Sequence, residues 1–357
     1  MVELLTFDEA IRDSLDCNKR NLLLGNGFSI ACNPEIFHYD SLFKQADFSL
    51  LPKVKASFEA LGTQDFEVVI RSLEQGAMLV PIYGGSAGAA AEMKENAAAL
   101  KELLISTVAG NHPEKPGDIA ESRYWACRSF LAYFLAGEQQ GRVYTLNYDL
   151  LLYWALMHDD NPFSGNPAEL NFNDGFGDDD DDPDAEYVVW KAETTANKQC
   201  VHYLHGALHL YDAGAELNKY TWSRKGIPLI DQARTAMDAG MFPVFVSEGE
   251  SKGKLTKIRH TAYLQHSLKS FRSVMDLKNQ ALFIYGHSLD KNDAHIMSRI
   301  GRGKCPKVYI SLYGDPDSVD NRRIIGRAQE IAAMRHARSP MTLAFYDAST
   351  AKAWGGV

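Results

Sequence analysis

Residues 142–157 read RVYTLNYDLLLYWALM. An apolar opening rich in Val, Tyr and Leu (142–146), a polar step at Asn147 and Asp149, and then an unbroken apolar run of helical length place a strand, a loop and a helix in immediate succession. Asn or Asp just before such a run is a standard helix N-cap, which accounts for one of the two residues without any functional role. Six further short runs have the composition of buried strands: 21–25 (NLLLG), 201–205 (VHYLH), 243–247 (PVFVS), 281–286 (ALFIYG), 307–312 (KVYISL) and 342–346 (TLAFY). Helix-length segments separate most of them. In 262–279, Leu264, Leu268, Phe271 and Met275 recur at spacings of four, three and four, one face of an amphipathic helix. Strands alternating with such helices predict an α/β fold around a mostly parallel sheet.

Two stretches break the alternation. Residues 51–137 read as helix upon helix with no convincing strand, a helical insertion that leaves 1–50 and 138–357 as the sheet-bearing domain. Within it, the Gly/Ala-rich segment 84–91 is either a flexible joint or the start of the next helix. Residues 159–187 form an irregular loop ending in the aspartate run 178–182, which lacks the alternating ligands and terminal Glu of a calcium loop and reads as a solvated acidic segment.

Composition excludes several classes. The chain has 357 residues, 45% of them hydrophobic, and a formal net charge of −9. Segment 171–187 alone carries eight acids and no base, so the remainder nets −1. No basic stripe is left to neutralise a phosphate backbone, and direct nucleic-acid binding is not expected. Cysteines 17, 32, 127, 200 and 305 form no C-x-x-C pair, so neither a thiolate zinc module nor a redox pair arises from neighbouring residues. Without a run of about 18 apolar residues or a signal-peptide pattern, the expectation is a soluble cytoplasmic protein.

Chemistry-bearing residues concentrate where strands end. Gly25-Asn26-Gly27-Phe28-Ser29 follows the strand at 21–25, and its glycines allow a tight turn that phosphates could approach. Thr145-Leu146-Asn147-Tyr148-Asp149 follows 142–146. His205-Gly206 ends 201–205, and the missing side chain at Gly206 leaves room beside the imidazole. Gly286-His287-Ser288-Leu289 follows 281–286 and runs on to Asn292 and Asp293 at a helix start. If 201–209 is one extended strand, His205 and His209 share a face and His202 points away, so these three histidines do not converge on a metal. Carboxyl ends of parallel strands open on one edge, which gathers all four loops.

These motifs, in this order, resemble those of the sirtuin (silent information regulator) superfamily, in particular its bacterial NAD-consuming branch linked to anti-phage defence. GNGFS at 25–29 is similar to the family's GAG[IV]S loop, TLNYD at 145–149 to T-x-N-[IY]-D, His205-Gly206 to the catalytic His-Gly, and GHSL at 286–289 to G-[TY]-S-L. The resemblance covers roughly 18–50 and 138–348 and implies a Rossmann-like core. It departs in two places: the four zinc-binding cysteines of the deacylases are absent, and CNPEIFHYDSLF stands where G-I-P-x-F-R is found. Both departures disfavour protein deacylation.

The resemblance implies an NAD glycohydrolase with NAD as substrate, and the dispersed cysteines and non-converging histidines lead us to expect no metal. By the resemblance, Asn147 and His205 would be catalytic; Gly25, Asn26, Gly27 and Ser29 would hold the pyrophosphate and nicotinamide ribose, Asp149 would support the pocket, and Gly286 and Ser288 would meet the adenosine side. It further implies a homo-oligomer and a possible ring-forming HerA-type ATPase partner; the absence of a long apolar run leads us to expect no membrane association. The rival expectation is a non-catalytic sensor that binds NAD or ADP-ribose.

Overall fold

A computed structural model describes residues 2–37, 42–64, 66–110, 112–158, 169–177, 187–191, 198–214, 216–220, 227–246 and 251–355. The aspartate run 178–182 lies outside them. In chain order the strands are β1 (Leu4–Leu5), β2 (Lys19–Leu24), β3 (Gln140–Thr145), β4 (Tyr187–Val189), β5 (Val201–Tyr203), β6 (Gly206–Asp212), β7 (Leu217–Tyr220), β8 (Phe242–Phe245), β9 (Gln280–Tyr285), β10 (Lys307–Leu312) and β11 (Thr342–Asp347).

Seven strands form one sheet in the order β1-β11-β10-β9-β2-β3-β5, with every pairing parallel. From β2 the chain steps outward through β3 to β5, then returns to the other side of β2 and continues outward through β9, β10 and β11. The order therefore reverses between β2 and β9, the switch point at which doubly wound α/β sheets open a ligand crevice. This is a Rossmann-like α/β architecture. Its central strands are apolar and buried over their carboxyl-terminal halves because helices cover the sheet, and all six residues of β9 are buried.

The helix Glu121–Leu135 packs on β2 and β3, and its buried residues Tyr124, Cys127, Phe130, Leu131 and Phe134 follow the 3–4 spacing of a single face. Phe7 joins its Phe130 and Phe134 to Phe283 and Tyr346 of the sheet in edge and tilted ring contacts of 5.5–6.4 Å. In the helix Ala262–Met275, Leu264, Leu268, Phe271 and Met275 are all buried, as their spacing requires. Residues 51–137 contain helices only, among the described residues: Pro52–Leu61, Phe66–Leu79, Ala87–Gly110, the 3-10 turn Pro116–Asp118 and Glu121–Leu135. The Gly/Ala-rich segment is loop up to 86 and helix from Ala87. Among the described residues no helix is long and apolar enough to cross a membrane.

Two expectations need correction. The run at 243–247 is a strand, β8, but it belongs to a second, antiparallel sheet of order β4-β7-β6-β8. Nor is 201–209 one extended strand. Leu204 and His205 form a turn, and Gly206, at φ +74°, starts β6 in the new direction. A Cβ there would lie 1.9 Å from the Val244 carbonyl oxygen, so the missing side chain makes room for β8 and not for a ligand beside His205. Strand β6 is masked in the sequence because Ala207 to Tyr211 are buried on both faces, which erases the alternation a half-buried strand shows.

Candidate active site

Four loops leave the parallel sheet at one level. Tyr285, Leu24, Thr145 and Tyr203 are paired in register across β9, β2, β3 and β5. The ladder continues one step past them, with Gly25 N donating to Tyr285 O (2.9 Å), Leu146 N to Leu24 O (3.0 Å) and Leu204 N to Thr145 O (2.9 Å). Asn147 and His205 thus each stand two residues beyond the matched pair Thr145 and Tyr203.

At the switch point the GNGFS and GHSL loops meet backbone to backbone. Gly27 N donates to Gly286 O at 2.7 Å, and a Cβ on Gly25, Gly27 or Gly286 would approach the opposite loop to 2.6–2.7 Å. Gly286 also requires the left-handed region, at φ +67°. The glycines therefore lock the two loops together, and the N–H groups of Gly25 and Gly27 are already engaged by Tyr285 and Gly286 carbonyls. Asn26 is half-buried beside them, and half-buried Ser288 is on the facing loop. Leu289, fully buried, holds φ +55°, a conformation costly for a residue with a branched side chain; its N–H donates to His287 Nδ1 at 2.8 Å.

Behind these loops lies a buried polar set. Asn147 Nδ2 donates to Gly25 O (3.0 Å) and to Ser29 Oγ (2.9 Å), and Ser29 Oγ in turn donates to Asp149 Oδ2. Asp149 Oδ1 accepts from Leu151 N at 2.9 Å, so Asp149 also serves the first turn of the helix Leu151–Met157. Burial pushes the Asp149 carboxyl up to about 6, against the pull of its hydrogen bonds from Ser29 and Leu151. Asn147 Oδ1 takes no hydrogen bond among the described residues.

His205, 3% exposed, belongs to a second buried group. Its Nε2 is 3.1 Å from His295 Nε2 and 3.8 Å from Asp293 Oδ1, and the two imidazoles stack at 5.2 Å. Asp293 is further held by Lys254 (3.0 Å) and by His287 Nε2 (3.3 Å), and His295 Nδ1 lies 3.0 Å from Ser251 Oγ. Desolvation lowers His205 to about 3 and His295 to about 4, so both rings are neutral at pH 7. Burial alone would raise Asp293, but the His287 hydrogen bond and the surrounding positive charge outweigh it and hold the carboxyl below its usual range.

Sequence reasoning did not single out Lys254, Ser251 or His295. A usable signal was present in GHSLDKNDAH (286–295), where His287, Asp293 and His295 fall within ten residues of a strand end and a helix start. His209, by contrast, stacks on Tyr153 at 4.4 Å and is not among the residues gathered around His205.

Fold and site together define a doubly wound α/β protein with clusters of buried polar side chains at its strand carboxyl ends. Over residues 22–354 the chain matches the model of a family described as a domain of unknown function, DUF4917, and it belongs to that family. Comparison with curated proteins found no match. Among solved structures, the chain is similar to a Sir2 homolog described as an NAD complex, at 12% identity over 93% of this chain and 97% of that one, with a TM-score of 0.34, a likeness too slight to transfer an activity.

Proposed function

We propose that the chain is an NAD glycohydrolase, converting NAD and water to nicotinamide and ADP-ribose. The observation that carries this reading is the joint placement of Asn147, Ser29, Asp149 and His205 on adjacent strand ends beside the switch point. Nicotinamide leaves NAD as a neutral molecule from a cationic pyridinium, so the departure needs no strong general acid. The protein must instead orient the ribose, exclude bulk water and place one nucleophilic water.

The residues are suited to those tasks. Both amide hydrogens of Asn147 tie the GNGFS loop in place, which leaves Oδ1 as the atom to accept a hydrogen bond from water or a ribose hydroxyl. Neutral His205 accepts a second such hydrogen bond and takes up the proton as water adds to the anomeric carbon. Gly25, Asn26, Gly27 and Ser29 shape the pyrophosphate and nicotinamide-ribose side of the crevice, Asp149 supports it from behind, and Gly286 and Ser288 border the adenosine side. The cellular role we attach to this activity is NAD depletion in bacterial anti-phage defence by a homo-oligomer, with a HerA-type ATPase as a possible partner.

Purified chain incubated with NAD, with and without an acyl-lysine peptide, tests the reading: free nicotinamide should form equally in both. Release only with the peptide would favour deacylation. A binding role without cleavage is favoured by one observation, the low basicity of His205; it predicts calorimetric NAD uptake with no nicotinamide formed.

A further inference from the structure

We infer that His205, Asp293 and His295 form a binding site for a divalent transition-metal ion of the zinc class, ligated by Nε2 of both imidazoles and Oδ1 of the carboxylate. This inference does not rest on the NAD-cleavage reading. The sequence led us to expect no metal, because its histidines at 202, 205 and 209 do not converge; the fold instead brings His205 to two residues almost ninety positions further on.

The geometry is that of a prepared ligand set. The three donor atoms all lie within 4.8 Å of one another, with the two imidazole nitrogens 3.1 Å apart and His205 Nε2 3.8 Å from the carboxylate. Tetrahedral coordination at roughly 2.0–2.1 Å separates ligand atoms by roughly 3.3 Å, which these two distances bracket. Two Nε2 atoms this close cannot both carry a proton between them, so at least one is an unprotonated nitrogen with a lone pair to offer. Two imidazoles and one carboxylate suit zinc and its first-row neighbours and leave a fourth position for water.

The outer contacts point the same way. His295 Nδ1 is paired with Ser251 Oγ at 3.0 Å, leaving Nε2 as its ligand atom. Asp293 Oδ2 is held by His287 Nε2, and the His287 tautomer is set by the N–H of Leu289, the buried residue at φ +55°. Backbone strain is thus maintained where it fixes the orientation of Asp293.

One cation already competes. The Lys254 ammonium is 3.0 Å from Asp293 Oδ1, supplying the positive charge the buried carboxylate needs. Lys254 also borders a groove of about 1100 Å³, together with Lys257 and His260, into which its flexible stem can withdraw. Metal binding should therefore displace Lys254 from Oδ1. An ion on His205 Nε2 and a proton on the same nitrogen exclude each other.

The test uses full-length chain, stripped of metal and titrated with Zn²⁺ by calorimetry and with Co²⁺ by absorption. One ion per chain is expected, and the Co²⁺ form should show visible bands of a four-coordinate nitrogen and oxygen site without thiolate charge transfer. Asp293→Asn and His295→Gln should each weaken Zn²⁺ binding by at least about 10-fold. Lys254→Met, which removes the competitor and no ligand, should tighten it. The inference is overturned by absence of stoichiometric binding, by thiolate bands in the Co²⁺ spectrum, by binding that survives both ligand substitutions, or by an affinity unchanged in Lys254→Met.

Discussion

Ser29 donates its hydroxyl proton to Asp149, 120 residues further along the chain, and so joins the end of β2 to the end of β3. The acceptor is a buried carboxyl whose titration lies near 6 in place of 3.8. In the unfolded chain Asp149 ionises near the lower value, so between the two the folded state binds more protons. Its contribution to stability is therefore fully present below about pH 4, is lost as pH rises through 6, and is constant above. Comparing denaturant unfolding of wild type and Asp149→Asn across pH 4–7, the stability of wild type relative to the variant should fall by up to about 3 kcal/mol. A difference that grows with pH would contradict the burial argument.

Gly286→Ala should separate the two loops at the switch point. The new Cβ would lie 2.6 Å from the Gly27 carbonyl carbon and the Phe28 nitrogen, at a φ of +67°. Gly240→Ala, at φ +77° with nothing within 4 Å, carries only the left-handed penalty of about 1–2 kcal/mol. Overpacking adds about 1–3 kcal/mol at Gly286. Thermal unfolding should rank Gly286→Ala well below Gly240→Ala, and equal melting temperatures would show that the loops yield freely.

The level ends of β9, β2, β3 and β5 were legible in the sequence, because each strand is a short apolar run cut off by a polar, glycine- or asparagine-bearing loop. The second sheet was not. Strand β8 looks like any other buried run, and only the turn at His205, made possible by Gly206, assigns it to a different sheet. The His205 cluster was half-legible: His205 and Asp293 stood out beside strand ends, whereas His295 resembled an ordinary helix residue. Its partnership with His205 depends on β5 and β9 ending at one level, which no local pattern records. Nor could spacing show that Gly25 and Gly27 contact Gly286, since that contact joins loops more than 250 residues apart.

Asp174 and Lys219 form a buried ion pair at 2.8 Å that ties the second sheet to the segment before β4. Asp174→Ala would strand an ammonium away from water, at a cost of about 3–5 kcal/mol. Chemical denaturation should show that loss, and Lys219→Met in the same background should recover part of it. If the double variant is no more stable than Asp174→Ala, the stranded charge is not the cause.

His205→Ala should slow nicotinamide release by about 10²–10⁴-fold, toward the lower end because the buried imidazole is a weak base. NAD affinity measured by calorimetry should fall much less. Loss of affinity with unchanged turnover per bound NAD would make His205 a binding residue.

Asn147 is the centre of the account, since it holds the GNGFS loop through Gly25 and Ser29 and its Oδ1 is the atom proposed to orient water or a ribose hydroxyl. Asn147→Ala leaves two buried acceptors short of a donor, a cost of about 1–3 kcal/mol that a folded domain can absorb. The deciding measurement is the single-turnover yield of nicotinamide and ADP-ribose from NAD, with circular dichroism of both proteins. The account predicts equal amounts of the two products from wild type and essentially none from a folded Asn147→Ala. Wild-type yields from the folded variant, or NAD left intact by wild type while bound, would contradict it.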